Sequence, residues 1–226
     1  MSNPARILAI ETAGEACSVA LFENGALRAH DHRVLGRGHA EHLVPMIEGL
    51  PDKGRADRIL VSLGPGSFTG VRIGIAAARA LGFAWGAEVI GYPTLGLIAA
   101  QAWQGDSAPV TVCINGGHGE WFIADFAPGE PVAAAQSLSP EAAQTRGAHS
   151  QIAGNRAEQF ADLLDADHSA HAILPNARAT AHLPDSFLTR DLTPIYGRAP
   201  DAKPAAKAAG KQSATPSSQT SSRAPI

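Results

Sequence analysis

Residues 63–75 read LGPGSFTGVRIGI, and they join a short apolar run to a segment with helical periodicity. The apolar run, residues 58–63, predicts a strand in the interior of a sheet. A glycine-rich turn follows it, and a helix is predicted from about residue 70 to residue 85. A strand that leads through such a turn into a helix is typical of the α/β class.

The glycine-rich turn at residues 64–70 is open to two interpretations. Glycines can expose backbone N–H groups to an anion, which would suit a loop at the edge of a nucleotide site. A P-loop, however, would continue with lysine and then serine or threonine, and Val71 and Arg72 stand there instead. The other interpretation is a tight structural turn in which Ser67 or Thr69 caps the helix.

The predicted helix carries small residues at every fourth position, which form one ridge on its surface. The ridge consists of Gly70, Gly74, Ala78, Gly82 and Gly86. Each interior glycine costs about 1 kcal/mol relative to alanine, so the ridge indicates a close approach of other atoms. Those atoms could belong to the chain's own sheet or to another protein. The opposite side, with Ile73, Ala76, Ala77 and Ala80, is also apolar, which favours a protein interface because such a helix needs neighbours on more than one side.

The first 104 residues are predicted to form one lobe. Three apolar runs between residues 7 and 32 predict strands, and Asn24-Gly25 favours a tight hairpin turn between the last two. An amphipathic helix is predicted at residues 39–50. The complete order, β-β-β-α-β-α-β-α, predicts a mixed sheet flanked by helices.

Two further segments are predicted after this lobe. Residues 105–198 have weaker patterns, which indicate a smaller second lobe with a hairpin around residues 115–119. Residues 199–226 contain four basic residues, one acidic residue and a single aliphatic side chain, Ile226. We expect this basic tail to be disordered, because it cannot bury enough apolar surface to offset its conformational entropy.

The composition limits the possible partners and compartments. The net charge of −3 gives no general attraction to nucleic acid or to an anionic membrane. No window approaches the ~20 apolar residues of a membrane span, and the N-terminus lacks a signal-peptide pattern. Cys17 and Cys113 lie in apolar runs, which predicts buried reduced thiols. We therefore predict a cytoplasmic protein that makes no membrane contact.

Candidate chemical groups are few. Glu11 and Thr12 follow the first strand, where actin-like ATPases hold a metal-bound nucleotide, and they are the candidate cofactor-binding residues. His39 and His42 could share a helix face, but a metal site would need a third ligand. The sequence enforces no Ser-His-Asp arrangement and contains no nucleophile elbow. We therefore predict no catalytic residue and no metal site.

Four blocks of sequence resemble the TsaB (YeaZ) family of bacterial tRNA threonylcarbamoyladenosine biosynthesis proteins. The blocks lie at residues 7–12, 15–21, 39–47 and 64–74, and the last one, GPGSFTGVRIG, is highly specific. Residues 194–198 also resemble the closing segment of that family. The resemblance implies an α/β fold of the actin/Hsp70-like (ASKHA), ribonuclease H-like class, with a mixed sheet flanked by helices and a reduced second lobe.

The resemblance also implies a function. It implies a non-catalytic scaffolding and dimerisation subunit that binds the catalytic paralogue TsaD and acts with the ATPase TsaE in a tRNA-modifying complex. The subunit would form a homodimer when alone and would reach tRNA only through the complex. ATP is expected only in the assembled complex. The partner interface would consist of His39, Leu43, Met46, Ile47, Gly70, Val71, Gly74, Ile75, Ala78 and Gly82.

The chain departs from the family pattern in several places, among them a short segment between the first predicted helix and the strand at residue 58 and the basic tail. Glu11 stands where the family usually has Asp, and residues 115–117 read Asn-Gly-Gly where it usually has Asp-Ala-Arg. The segment at residues 177–193 is shorter than in the family and is expected to lack a helix.

The alternative function is a stand-alone actin-like ATPase or glycoprotease-like peptidase, which would lose its activity on Glu11→Ala.

Overall fold

The computed structural model describes residues 5–104, 108–164 and 167–198, and its strands form two five-stranded sheets. The first part of the chain forms β1 (Arg6–Glu11), β2 (Ala16–Glu23), β3 (Ala26–Val34), α1 (His39–Glu48), β4 (Arg58–Ser62), α2 (Phe68–Trp85), β5 (Glu88–Tyr92) and α3 (Thr94–Ala102). The second part forms β6 (Val110–Gly117), β7 (Glu120–Phe126), β8 (Gln136–Leu138), α4 (Pro140–Arg146), β9 (Gln151–Ala153), α5 (Ala157–Ala161) and β10 (Ser169–His171). Short 3-10 helices lie at Pro51–Gly54, Ala177–His182 and Asp185–Phe187.

The two sheets share one topology. In the first, with strand order β3-β2-β1-β4-β5, the pairs β1–β2 and β2–β3 are antiparallel and the pairs β1–β4 and β4–β5 are parallel. The second, with order β10-β9-β6-β7-β8, repeats this plan: β6–β7 and β7–β8 are antiparallel, and β6–β9 and β9–β10 are parallel. The predicted mixed sheet flanked by helices is therefore confirmed, and the fold repeats it.

The second copy is the smaller one. Its outer strands β8, β9 and β10 have 3 residues each, and α5 has 5. The segment expected to be trimmed contains only the 3-10 helices at Ala177–His182 and Asp185–Phe187. Thr189 then exchanges two backbone hydrogen bonds with Gly91, at 2.7 and 3.0 Å, so this segment covers the outer edge of β5. The predicted tail, residues 199–226, lies outside the described residues.

Helices cover both faces of the first sheet. On one face α1 and α2 contribute Leu43, Met46 and Ile75 to a core shared with strand residues such as Ile10 and Val61. On the other face lies α3, whose residues from Thr94 to Ala100 are all buried. This helix packs against both sheets, which explains why it is apolar on all sides.

Local signals agree with their predicted roles. Asn24 and Gly25 both have positive φ angles, 49° and 82°, as the predicted hairpin turn between β2 and β3 requires. Cys17 and Cys113 are buried free cysteines, as predicted. Within the described ranges, no helix combines the length and the apolar character of a membrane span.

Candidate functional site

The turn between β4 and α2 is held by contacts with the end of β1. The Ser67 N–H donates to the Ala13 carbonyl at 2.7 Å, and the Ser67 hydroxyl accepts the Gly70 N–H at 3.2 Å. Ser67, and not Thr69, is therefore the N-cap of α2. This geometry supports the interpretation of residues 64–70 as a structural turn.

The glycine ridge of α2 faces the first sheet. A Cβ atom at Gly74 would lie 2.5 Å from Thr12 Oγ1, and one at Gly82 would lie 2.5 Å from Val89 Cγ2. A Cβ at Gly70 would overlap the Thr12 carbonyl. Gly70, Gly74 and Gly82 thus allow α2 to lie directly on the sheet, and the atoms they approach belong to the same chain. Gly86, the last residue of the predicted ridge, instead caps the C-terminus of α2 and is exposed.

This packing corrects the predicted partner surface. All of the residues assigned to it are buried: His39, Leu43, Met46, Ile47, Gly70, Val71, Gly74, Ile75, Ala78 and Gly82. They fill the space between the two helices and the first sheet, so they offer almost no surface to another molecule. Helical periodicity identified two apolar sides of α2 but could not show which of them faces the sheet.

The other side of α2 is exposed. Of the four residues predicted on it, Ala76 and Ala80 are exposed, whereas Ile73 and Ala77 are partly buried against the core of the first sheet. Phe83, whose side chain is 93% exposed, lies on this side together with the exposed Arg72 and Arg79. Val44 of the neighbouring α1 is 59% exposed. Because both helices pack on the same face of the first sheet, their exposed sides point away from it. We call Val44, Ala76, Ala80 and Phe83 the outer helix surface.

Glu11 and Thr12 have internal structural roles. Glu11 is fully buried, its Oε1 accepts the Ala13 N–H at 2.7 Å, and burial raises the pKa of its carboxyl to about 7. The Thr12 hydroxyl donates to the Gly70 carbonyl at 2.7 Å, which ties the end of β1 to the first turn of α2. The end of β1 is thereby fixed beneath the glycine-rich turn.

A cleft of about 700 Å³ lies between the two sheets and their helices. The first half of the chain lines it with Glu15, Ser67 and Arg72 among others, and the second half with His118 and Asn155. Glu15 Oε1 accepts a hydrogen bond from Asn155 Nδ2 at 3.0 Å, which links the two halves. The volume lies within the range of small-molecule sites.

The residues present do not fit a metal-bound nucleotide, which the fold class would imply for this cleft. Neither Glu11 nor Thr12 is among the residues that line it. The Thr12 hydroxyl and Glu11 Oε1 make hydrogen bonds within the chain, and Glu11 Oε2 is buried without a hydrogen-bond partner in the part of the chain that the structure describes. Among residues 5–104, 108–164 and 167–198, no three His, Cys, Asp or Glu side chains form a group that could hold a metal ion. The structure therefore corrects the assignment of Glu11 and Thr12 as cofactor-binding residues, and it weakens the ATPase alternative that depends on Glu11.

The histidine pair likewise makes main-chain contacts. His39 Nε2 lies 3.3 Å from the Ala16 carbonyl, and His42 Nδ1 lies 2.9 Å from the Gly38 carbonyl. The His39 ring therefore ties the start of α1 to β2, and the His42 ring contacts the N-cap residue of α1.

Comparisons with known proteins decide the family. A family model described as "TsaD: tRNA N6-adenosine threonylcarbamoyltransferase" matches residues 33–175. The Escherichia coli (strain K12) "tRNA threonylcarbamoyladenosine biosynthesis protein TsaB" is 42% identical over 129 residues, which cover 54% of each chain. The chain belongs to the TsaB/YeaZ family, with a TsaD-type domain. The resemblance and the actin/Hsp70-like fold class that it implied are confirmed.

Two other relatives match most of the length of this chain. An uncharacterized protein of Mycobacterium tuberculosis (strain H37Rv) is 33% identical over 221 residues, covering 88% of this chain and 95% of that one. The structure "YeaZ from Pseudomonas aeruginosa" has 30% identity and a TM-score of 0.66, and covers 79% of this chain and 90% of its own. The chain spans about half the length of the Escherichia coli and Haemophilus influenzae relatives it matches, 54% and 43%.

Two groups of exposed residues were missed by sequence reasoning. Phe83 lies on the apolar side of α2 opposite to the glycine ridge, so its periodicity could have identified it. Phe68 and Tyr196 stack at the mouth of the cleft, with ring centroids 5.9 Å apart. The contact between Phe68 and Tyr196 joins residues more than 120 positions apart, so local sequence patterns could not predict it. The sequence signal for this pair is the family-like segment at residues 194–198.

Proposed function

We propose that this chain is a non-catalytic scaffolding and dimerisation subunit in the biosynthesis of tRNA threonylcarbamoyladenosine. Family membership supports the pathway, since the Escherichia coli and Haemophilus influenzae relatives carry that biosynthesis in their names. The observation that carries the scaffolding role is the outer helix surface, in which Phe83 is 93% exposed beside alanines. An aromatic side chain is among the residue types that most often anchor protein interfaces.

The partner in this proposal is TsaD, the catalytic paralogue. Phe83 can supply a large apolar anchor and Ala76 and Ala80 permit close approach of a partner helix. The same side of the helix pair also carries exposed charges, Arg72 and Arg79 on α2 and Glu41 and Glu48 on α1, which can form ion pairs at the rim of such a contact. Without TsaD, the same surface would pair two copies of this chain around a two-fold axis. The ATPase TsaE and tRNA would then join the assembly in the cytoplasm, and ATP would act only in that complex.

The outer helix surface can be tested with Phe83→Glu. We expect the dissociation constant for purified TsaD to rise about 100-fold, because a central aromatic anchor is worth roughly 3 kcal/mol and a buried charge opposes docking. Isothermal titration calorimetry measures this change. Sedimentation of the isolated chain should also shift from dimer to monomer.

The matched control is Leu27→Glu, which introduces the same charge at an apolar side chain of β3 that is 45% exposed. This variant should bind TsaD and dimerise as the unmodified chain does. Undiminished TsaD binding by Phe83→Glu would place the interface on another surface. Equal losses in both variants would show that charge alone, and not this location, weakens the complex.

A further inference from the structure

We propose that residues 194–198 form a strap that couples the first turn of α2 to the β6–β7 hairpin across the cleft. The strap acts within one chain, and it rests on the proposed function only in that α2 is the docking helix there. A partner that contacts the start of α2 would, through the strap, change the position of the hairpin.

The first half of the strap is attached to the first lobe. The Ile195 N–H donates to the Leu63 carbonyl, just beyond the end of β4, at 2.7 Å. Tyr196 stacks on Phe68 with an interplanar angle of 29°, and its hydroxyl accepts a hydrogen bond from Arg72 Nη2 at 2.5 Å. The Arg72 guanidinium also lies 3.2 Å above the Phe68 ring centre. Tyr196 is thus held by two exposed residues of the first turns of α2.

The second half of the strap is attached to the hairpin. Gly197 lies so close to the Phe122 ring of β7 that a Cβ atom there would overlap it. Arg198 Nη2 lies 2.7 Å from Glu120 Oε2 and donates to the Gly117 carbonyl at 3.2 Å. The Glu120 carboxylate also accepts the Ser137 hydroxyl at 2.5 Å, and this hydrogen bond, followed by the Arg198 charge, keeps the pKa of Glu120 below its usual value.

The short distance between these attachments makes the coupling mechanical. Tyr196 and Arg198 are separated by one residue, so their Cα atoms can lie no more than about 7 Å apart. Neither attachment can move far without pulling on the other. Phe68, Arg72 and Phe122 also line the cleft, so the strap sets the separation of its two walls.

The experiment measures hydrogen exchange of the hairpin amides, residues 115–120, in the complete chain without any partner. Phe68→Ala removes the ring that Tyr196 and Arg72 both contact, and we expect exchange in the hairpin to become about tenfold faster. Tyr196→Phe, which loses only the hydroxyl contact, should give a smaller increase of about threefold. Phe68 touches the strap on the first lobe, so its effect on the hairpin must pass through residues 194–198.

The control for Phe68→Ala is Leu27→Ala, which also truncates an exposed apolar side chain but lies on β3, outside both the strap and the outer helix surface. It should leave hairpin exchange unchanged. Approaching from the other side, Gly197→Ala should displace the strap from Phe122 and speed exchange in the turn at residues 64–70. Gly49→Ala, where an added Cβ has 3.5 Å of clearance, is its control.

Hairpin exchange that is unchanged in Phe68→Ala, or equally raised in Leu27→Ala, would overturn the strap. Thermal unfolding of each variant separates local from global effects, because an opening confined to the strap leaves the unfolding temperature almost constant. None of these measurements requires TsaD, so the strap and the docking surface can fail independently of each other.

Discussion

Glu11 illustrates how burial changes the role of one side chain. A carboxyl at the end of the first strand could hold a metal-bound nucleotide if it reached the cleft. In this chain it is fully buried and accepts the Ala13 N–H at 2.7 Å. Its desolvation raises the pKa to about 7, so the folded chain binds a proton at this carboxyl more tightly than the unfolded chain does.

The pH dependence of stability follows from that shift. The ordinary pKa is 4.5 and the folded value about 7, so the stability contributed by the protonated carboxyl is complete below pH 4.5 and is lost as the pH rises towards 7. Glu11→Gln keeps an oxygen for the Ala13 N–H and cannot ionise. We expect this variant to be more stable than the unmodified chain at pH 8 by up to about 3 kcal/mol, with little difference at pH 4.

Urea unfolding at the two pH values measures this difference. The exposed Glu158→Gln is the control and should not reproduce it. A Glu11→Gln effect of equal size at both pH values would contradict the assignment, because it would then arise from packing and not from ionisation.

At the scale of elements, the two sides of α2 have separate tasks. The glycine side is complementary to the ends of β1 and β5, where Thr12 and Val89 occupy the space that a side chain on the helix would need. The side with Ala76, Ala80 and Phe83 is exposed. One helix can therefore contribute its glycine side to the core and still present an exposed aromatic ring, flanked by alanines and by Arg72 and Arg79, on the other side.

Gly74→Ala tests the inner side of α2. Alanine favours helix by about 1 kcal/mol, yet the new Cβ would lie 2.5 Å from Thr12 Oγ1, which is fixed by its hydrogen bond to Gly70. We expect overpacking to prevail and the free energy of unfolding to fall by about 1–3 kcal/mol.

Chemical denaturation measures the Gly74→Ala effect. Ala76→Gly on the outer side gives the reference, since it should cost only about 1 kcal/mol through helix propensity. A stabilised Gly74→Ala variant would mean that the ridge does not press on the sheet.

At the scale of the whole molecule, α3 joins the two sheets into one structure. Leu97 packs in the cluster of the first sheet, whereas Ile98 packs in the cluster of the second. The hydrogen bond between Glu15 and Asn155 and the strap at residues 194–198 add links at the mouth of the cleft. Both lobes should therefore unfold together.

Leu97→Ala tests that cooperativity. The side chain is fully buried, so its truncation should cost about 2–5 kcal/mol and lower the unfolding temperature. Calorimetry should show one transition. Tryptophan fluorescence, to which Trp85 of the first lobe and Trp121 of the second contribute, should change at the same temperature. Two separate transitions, with only the one for the first lobe shifted, would show that the lobes are independent.

Local structure and the family resemblance can be inferred from residue type and spacing. Positions 24 and 25 dictate a positive-φ hairpin turn, Ser67 is suited to cap a helix, and the order of apolar runs predicts the first mixed sheet. These features depend on neighbouring residues only, so they can be inferred from spacing and residue type. Four blocks of sequence, of which GPGSFTGVRIG at residues 64–74 is the most specific, carried the TsaB/YeaZ resemblance.

Long-range packing sets three other features: the side of α2 that is covered, the location of the Glu11 carboxyl, and the contacts of residues 194–198. Helical periodicity shows that α2 has two sides of small or apolar residues, but it does not show which side packs on the sheet. That depends on Thr12, just after β1, and on Val89 in β5, which fit only against the glycine side. The Tyr196–Phe68 contact likewise joins residues 128 positions apart. Such contacts depend on the shape of the assembled sheets, which local pattern does not encode.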